Sequence, residues 1–380
     1  MATVRSQAGR TVYVPFLDLG PTFAPIRASL LADIDELIAS GSFVNGPQVE
    51  SFERAFAEVC GRGAAIGMAS GLDALRIALL ACGLEEGDEV VVPAMTFAAS
   101  FEAVIQAGGR PVVADVLDDD VGMDPAAAAA AMNDRTRFLM PVHLYGQMSD
   151  VAALREVAAR HGAEILEDAC QAHGAVRDGI AAGTAGIAAA FSFYPTKNLG
   201  AMGDAGAVVM DDEAALAKAR ALREHGHTSR YHSEYVGYTA RLDTIQALVL
   251  LRKLPLLEGW NEQRRQLAAW YDEALTGVGD LKLPAAVDGS THVWHVYAVR
   301  SSVRDALGEF LASRGIGTNR HYPEAPHLMP AFAGLGLGEG AFPVAEAVAR
   351  ETISLPFFPG MTEQQQQAVV DATREFFAGG

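Results

Sequence analysis

The chain has 380 residues, of which half are apolar and a fifth are charged, so it can bury a large core and favours two subdomains over one. Its 47 acidic residues outnumber 29 basic ones, and the net charge of −18 argues against a nucleic-acid partner, which clustered Lys and Arg would have to bind. Three scattered cysteines predict neither a disulfide framework nor a metal site. Because no signal-peptide pattern and no membrane-length apolar run is present, we expect a cytoplasmic protein without membrane contacts.

Two helical patterns come first, "IRASLLADIDELIASG" and "QVESFERAFAEVCG", each with acidic positions and a glycine stop. From about residue 64 to 210, short apolar runs such as "DEVVVP", "RPVVADV" and "AEILEDACQ" alternate with longer helical segments. This alternation predicts βαβ units, an α/β fold and a mostly parallel sheet covered on both faces. Sheets of this kind bind ligands beyond the carboxyl ends of their strands.

After residue 210 the alternation of strands and helices stops, and long helical patterns extend to about residue 277. The segments "THVWHVYAVR", "VRDALGEFLASRGI" and "TEQQQQAVVDATREFFAG" then predict a smaller α+β domain. We place the boundary at the Pro255 region, which gives a large domain of residues 1–254, including the helical N-terminus, and a small C-terminal domain of residues 255–380.

Polar residues cluster at two predicted strand and helix junctions. Asp168 and Gln171 follow an apolar strand, although an aspartate there is also a common helix cap or turn former. Ser70 and Gly71 lie where a loop turns into a helix, which is either an ordinary N-cap or an anion site. Neither junction is specific by itself.

Lys197 is the most unusual of these residues, because it lies between an apolar run and a glycine-rich turn in "FSFYPTKNLGAMGDAGA". A lone lysine is usually a solvated charge. A lysine and an acid at neighbouring strand ends, together with an anion loop, meet the needs of pyridoxal phosphate: an amine for a Schiff base, a carboxylate for the ring nitrogen and a phosphate anchor. Phe97, after another strand, is either a lid on the ring or a core residue.

A series of motifs in this order resembles the DegT/DnrJ/StrS family of pyridoxal-phosphate sugar aminotransferases over nearly the whole chain. The motifs are "SGLDALRIALL", "GDEVVVPAMTFAAS", "PVHLYGQ", "EDACQAHGA", "FSFYPTKNLGAMGDAGAVV", "RLDTIQA" and "HYP". The resemblance implies fold type I, as in aspartate aminotransferase, with a mostly parallel seven-stranded sheet, and a homodimer with active sites at the subunit interface.

By resemblance, the motif residues take cofactor roles. Lys197 would form the Schiff base and act as the general base, and Asp168 would face the pyridine nitrogen. Gln171 would bond the phenolic oxygen, and Phe97 would stack on the ring. The phosphate would be held by Ser192, Gly71 and Leu72, and across the dimer by Thr239, which stands where many relatives have asparagine.

The resemblance also implies a reaction. We expect transfer of an amino group from L-glutamate to a dTDP-linked 3-keto-6-deoxyhexose, as in the biosynthesis of antibiotic sugars; a 4-keto sugar, a keto-cyclitol, a dehydratase reaction and a non-catalytic regulator are the alternatives. Lys197 favours transamination, since relatives that dehydrate carry histidine there. The residues expected to face the sugar nucleotide are Tyr145, Arg241, His321, Tyr322 and His327.

Overall fold

The computed structural model describes residues 4–5 and 11–379. Much of the N-terminal segment on which the absence of a signal peptide was judged lies outside these residues. Within them, no helix combines the length and the apolar character needed to cross a membrane.

The centre of the molecule is a seven-stranded sheet, as expected. One strand, Gly206–Met210, runs antiparallel to both of its neighbours, and the other strands all run parallel to one another. The apolar runs of the sequence form these strands because both faces of the sheet are covered. In spatial order the strands are Ala64–Met68, Gly206–Met210, Ala188–Ser192, Glu164–Asp168, Thr136–Leu139, Glu89–Pro93 and Arg110–Ala114.

Helices cover the sheet, and several begin and end where the sequence predicts. Ser70 caps the helix that follows the first central strand by accepting a hydrogen bond from the amide of Asp73. Gly41, Gly61 and Gly162 end three helices in the left-handed conformation that favours glycine. The helices are Gly20–Phe23, Arg27–Ser40, Pro47–Cys60, Gly71–Ala81, Ala99–Gln106, Pro125–Ala131, Val151–His161, Glu213–Arg223, Thr244–Lys253, Leu257–Leu275, Arg304–Ser313, Pro343–Glu351 and Glu363–Ala378.

The C-terminal part has its own antiparallel pair of strands, Tyr297–Arg300 and Thr352–Leu355. With the helix Leu257–Leu275 and the last helix it encloses a second apolar core around residues such as Tyr271 and Phe357. The chain enters this part through the short 3₁₀ turn Leu254–Leu256. The division into domains at residues 254 and 255 stays a prediction.

Short elements complete the fold. The remaining strands are Val4–Arg5, Thr11–Val12, Val176–Arg177, Ile180–Ala181, His227–Ser229, His232–Ser233 and Ser290–Thr291, and the other 3₁₀ turns are Ala24–Ile26, Leu144–Gly146, Pro326–Leu328 and Pro330–Leu335.

The strand directions decide where polar side chains meet. Since the strands ending at Met68, Pro93, Leu139, Asp168 and Ser192 are parallel, their carboxyl ends share one edge of the sheet. The loops that leave this edge carry most of the residues selected from the sequence.

Candidate active site

Lys197 lies on the loop 193–205, which joins the adjacent strands Ala188–Ser192 and Gly206–Met210 across the carboxyl edge. Two buried side chains fix this loop. The Asn198 amide donates to Asn261 Oδ1 at 2.9 Å and to the Val293 carbonyl at 2.7 Å. Lys253 Nζ donates to the Gly200 carbonyl at 2.8 Å. The lysine is therefore presented by a loop that is held from both sides.

The electrostatic surroundings favour the reactive form of this lysine. Burial lowers the pKa of the half-buried Lys197 amine, and the negative charge of Asp168 opposes that shift. A lowered pKa leaves more of the amine uncharged near neutral pH, and the uncharged amine is the nucleophile and the base.

Asp168 is buried at the end of its strand, and both of its carboxylate oxygens accept hydrogen bonds. Ser100 Oγ donates to Oδ2 at 2.7 Å, and the Cys170 amide donates to Oδ1 at 3.2 Å. Each carboxylate oxygen has two lone pairs. One lone pair of each oxygen is therefore left for a further donor.

Gln171 connects two loops by using both ends of its amide. Gln171 Oε1 accepts from the Tyr145 amide at 2.7 Å, and its Nε2 donates to the Tyr322 hydroxyl at 3.0 Å. The Tyr145 hydroxyl in turn donates to the His321 carbonyl. These contacts bring the predicted substrate residues of the "HYP" segment to the predicted cofactor residue Gln171.

Aromatic rings close one side of this cluster. Phe97 is 53% exposed, and its ring centroid is 5.2 Å from that of Tyr322. A phenylalanine this exposed has little core function, which favours the lid interpretation over the core one. Burial, with the charge of Lys197, lowers the pKa of His321 to about 4, and its Nδ1 is 2.8 Å from Ser354 Oγ.

A tight approach joins Gly71 to Ser192. A Cβ atom at residue 71 would lie 2.7 Å from Ser192 Cβ and 3.1 Å from Cys170 Sγ, so only glycine fits without a shift. Gly71 is also the first residue of its helix, and Leu72 is the second. The unpaired amides of a helix start and the Ser192 hydroxyl therefore meet at one place, and this geometry suits a phosphate group.

Three predicted residues are not brought to this cluster. Thr239 is exposed, with its Oγ1 3.3 Å from His225 Nε2, and Arg241 pairs with Glu224 at 2.6 Å. His327 is only 1% exposed, and its contacts are with Glu346 and Phe342. Within a single chain, the geometry gives none of the three a contact with the residues around Lys197.

One buried pair beside the site was not recognised from the sequence. Glu167 accepts from His143 Nε2 at 3.0 Å and from the amides of Gly183 and Gly186, each at 2.9 Å. Burial alone would raise the pKa of Glu167, but these donors outweigh burial and lower it. The sequence shows the neighbouring acids Glu167 and Asp168 in "EILEDACQ". Since successive side chains of a strand point to opposite faces of the sheet, this alternation could have shown that Glu167 faces away from the site.

The residues present fit pyridoxal phosphate. Lys197 offers an amine of lowered pKa, Asp168 a carboxylate with free acceptor capacity, and the Gly71–Ser192 contact a cradle in which a Cβ would clash. Phe97 offers an exposed ring. Among residues 4–5 and 11–379, no cluster of three His, Cys, Asp or Glu side chains could hold a metal ion.

Comparison with known proteins gives the same picture. Residues 25–374 match the model of the DegT/DnrJ/EryC1/StrS aminotransferase family. A dTDP-3-amino-3,4,6-trideoxy-alpha-D-glucose transaminase of Streptomyces venezuelae is 44% identical over 98% of this chain and 98% of its own length. A Geobacillus stearothermophilus protein named as a pleiotropic regulatory protein is 43% identical over 96% of this chain and 98% of its own.

A solved structure also matches. The crystal structure of S. venezuelae DesV in complex with a ketimine intermediate has a TM-score of 0.93 and 45% identity, and the match covers 96% of this chain and 98% of that one. The predicted fold type I is therefore confirmed, and so are the predicted enzyme class and cofactor. The chain belongs to the DegT/DnrJ/EryC1/StrS aminotransferase family and is a sugar aminotransferase that uses pyridoxal phosphate.

Proposed function

We propose that this enzyme transfers an amino group from L-glutamate to the C3 carbonyl of a dTDP-linked 3-keto-6-deoxyhexose, in the making of an amino sugar. The observation that carries the catalytic part is the Lys197 amine, held on a fixed loop, with its pKa lowered by burial and the Asp168 carboxylate beside it. The choice of C3 is supported by relatives whose names place the amino group at C3 of dTDP sugars.

Each cofactor-site residue has a defined role in this proposal. Pyridoxal phosphate supplies the electron-withdrawing ring that makes the carbon next to the transferred nitrogen acidic. Lys197 Nζ holds the cofactor and then moves the proton to and from that carbon. Asp168 would bond the ring nitrogen, Gln171 would orient the ring through the phenolic oxygen, and the Gly71–Ser192 cradle with Leu72 would hold the phosphate.

The sugar nucleotide would bind beside this cluster. Tyr145, His321 and Tyr322 are tied together at its margin, with Phe97 exposed opposite Tyr322. Burial keeps the His321 imidazole neutral at physiological pH, so it can exchange hydrogen bonds with sugar hydroxyls without adding charge. His327 is enclosed, so we leave it out of the sugar site.

We also propose a homodimer in which each chain completes the site of its partner. Large apolar side chains are exposed in the single chain: Tyr194 is 51%, Tyr231 83% and Val236 95% exposed. A second copy would cover this surface. The exposed Thr239 and the Arg241–Glu224 pair are close in sequence to Tyr231 and Val236. We therefore assign Thr239 and Arg241 a role toward the phosphate or the sugar nucleotide in the partner's site. We place the dimer in the reducing cytoplasm, in keeping with three free cysteines.

The test is a paired assay with purified holoenzyme. L-glutamate is supplied with a dTDP-3-keto-6-deoxyhexose, a dTDP-4-keto-6-deoxyhexose or a keto-inositol, and the product is identified by mass and NMR. Amine at C3 of the first substrate alone supports the proposal. Amine at C4, or on the cyclitol alone, overturns the substrate, and loss of water without consumption of glutamate indicates a dehydratase.

The donor is tested in the same assay. L-glutamine and L-aspartate replace L-glutamate at equal concentration, and the rate of amino-sugar formation, which is common to all three donors, is followed. Faster turnover with either alternative overturns the donor but leaves the acceptor assignment intact. A protein that binds the cofactor and turns over none of the substrates would instead favour the regulatory alternative.

A further inference from the structure

A chain of two buried hydroxyl groups ends on Asp168. Thr96 Oγ1 is 2.8 Å from Ser100 Oγ, and Ser100 Oγ is 2.7 Å from Asp168 Oδ2. Thr96 is 1% exposed and Ser100 is 0% exposed. Water therefore does not reach these hydroxyl groups freely, and the bonds are stronger than they would be in solvent.

The direction of the chain follows from the number of protons. A hydroxyl has one proton to give, and a carboxylate can only accept. Ser100 donates its only hydroxyl proton to Asp168, so its oxygen can only accept a hydrogen bond from Thr96. Thr96 is therefore the donor of the Thr96–Ser100 pair. Both hydroxyl protons thus point toward the Asp168 carboxylate.

The local fold explains how the two hydroxyls meet. Thr96 follows the strand Glu89–Pro93, and Ser100 is the second residue of the helix Ala99–Gln106. The two residues are four apart, so the turn into the helix brings their side chains to the same face. The fixed backbone of a strand end and a helix start holds the relay in place.

We propose that Ser100, supported by Thr96, is a positioning residue for Asp168. Ser100 occupies one lone pair of Oδ2 and fixes the rotamer of the carboxylate, while the Cys170 amide does the same for Oδ1. The remaining acceptor positions of Asp168 are then held ready for the ring nitrogen of the cofactor. This inference rests on the role proposed above for Asp168.

The contrast with a nearby hydroxyl supplies the control. Ser149 is also buried, at 1% exposure, but its Oγ donates to the Val142 carbonyl at 3.0 Å. Ser100→Ala removes the bond to Asp168 and the bond from Thr96, whereas Ser149→Ala removes the bond to Val142. Both variants delete a buried hydroxyl, and only the first should affect Asp168. Thr96→Val removes the support of Ser100 at nearly constant volume, and Thr96→Ser keeps it.

The decisive readout is the ¹⁵N NMR signal of the ring nitrogen in holoenzyme loaded with ¹⁵N-labelled pyridoxal phosphate, because it reports whether that nitrogen is protonated. For Ser100→Ala we expect the signal to move toward the unprotonated position, and the cofactor dissociation constant to rise about 10-fold, as the loss of one charge-assisted bond implies. Thr96→Val should show a smaller change in the same direction, of about 3-fold in affinity. Ser149→Ala and Thr96→Ser should match the wild type.

Kinetics add a second criterion: kcat should fall in Ser100→Ala and KM for the sugar should change less than about 2-fold, because the lost bond does not face the substrate. If Ser100→Ala cannot be folded, Thr96→Val carries the test alone. An unchanged ¹⁵N signal and cofactor affinity in the Ser100→Ala or Thr96→Val protein overturns the inference. Because neither measurement needs turnover, this failure is distinct from failure of the proposed substrate.

Discussion

Glu167 and Asp168 are consecutive residues of one strand, yet their surroundings give them different roles: Glu167 stabilises the fold, and Asp168 can bind a ligand. On one face of the sheet, Glu167 accepts from an imidazole and two backbone amides and is fully enclosed. On the other face, Asp168 accepts from one hydroxyl and one amide beside a half-buried lysine. The first carboxylate accepts three hydrogen bonds from its own protein and is closed off from solvent, whereas the second accepts two and keeps acceptor capacity for a ligand.

The largest effect is expected for the lysine on the Asp168 side. Lys197→Ala should lower turnover by at least about 10⁴-fold, because the group that holds the cofactor and moves the proton is lost. The visible absorption band of the lysine-bound cofactor should vanish as well. Turnover and spectrum are measured on reconstituted protein. A variant that still converts glutamate to 2-oxoglutarate in a half-reaction would remove Lys197 from the mechanism.

The two carboxylates are compared directly by isosteric amides. Asp168→Asn should lower kcat by about 10²–10³-fold, since it removes an electrostatic partner of the reacting system. Glu167→Gln should instead lower the free energy of unfolding by about 2–4 kcal/mol, because an amide NH₂ then faces donors that are buried. Activity and urea unfolding are measured for both variants. The same activity loss in both would erase the distinction drawn between the two faces.

The cradle on the Asp168 side gives a third, smaller effect. Gly71→Ala places a Cβ 2.7 Å from Ser192 Cβ and should weaken cofactor binding by about 10- to 100-fold through displacement of the phosphate site. Gly259→Ala is the matched control, because a Cβ there meets nothing within 4 Å in a helix. The control should keep cofactor affinity and gain about 0.5–1 kcal/mol of stability. Equal affinities in the two variants would mean that the phosphate lies elsewhere.

The smallest expected effect is on the pH dependence of the free energy of unfolding, to which Glu167 contributes. Its pKa in the folded protein lies below the ordinary value of 4.5, so the unfolded chain takes up the proton first as pH falls. The stabilisation from Glu167 is therefore complete above about pH 4.5 and is lost as pH falls further. The difference in unfolding free energy between wild type and Glu167→Gln should shrink below this pH. A difference that stays constant from pH 7 to pH 3 contradicts the assigned role.

Much of the fold was predictable, because it depends on local patterns. Continuous apolar runs marked the strands of the parallel sheet, and glycine stops marked helix ends such as Gly41 and Gly61. The meeting of Asp168, Ser192 and Lys197 followed from a general property of such sheets, since parallel strands deliver their carboxyl ends to one edge. The family resemblance then supplied the roles.

The missing parts depend on contacts between distant segments. The spacing of Thr96 and Ser100 is visible in the sequence, but the acceptor of that pair lies 68 residues beyond Ser100. His327 follows the "HYP" segment closely, yet it lies in a 3₁₀ turn that buries it against Glu346 and Phe342. Arg241 is a cation in a family motif, and only the folded chain reveals the Glu224 carboxylate that neutralises it. Side-chain partners of this kind cannot be read from spacing.

The antiparallel strand Gly206–Met210 also constrains the order in which the protein can be assembled. It is inserted between Ala64–Met68 and Ala188–Ser192, and a Cβ at Gly206 would lie 2.3 Å from the Ser70 carbonyl. During synthesis, the chain must therefore emerge past residue 210 before the Gly71 and Ser192 sides of the cradle are held together. The cradle is therefore complete only when this strand is in place, and a cofactor that binds the folded cradle would stabilise the assembled sheet.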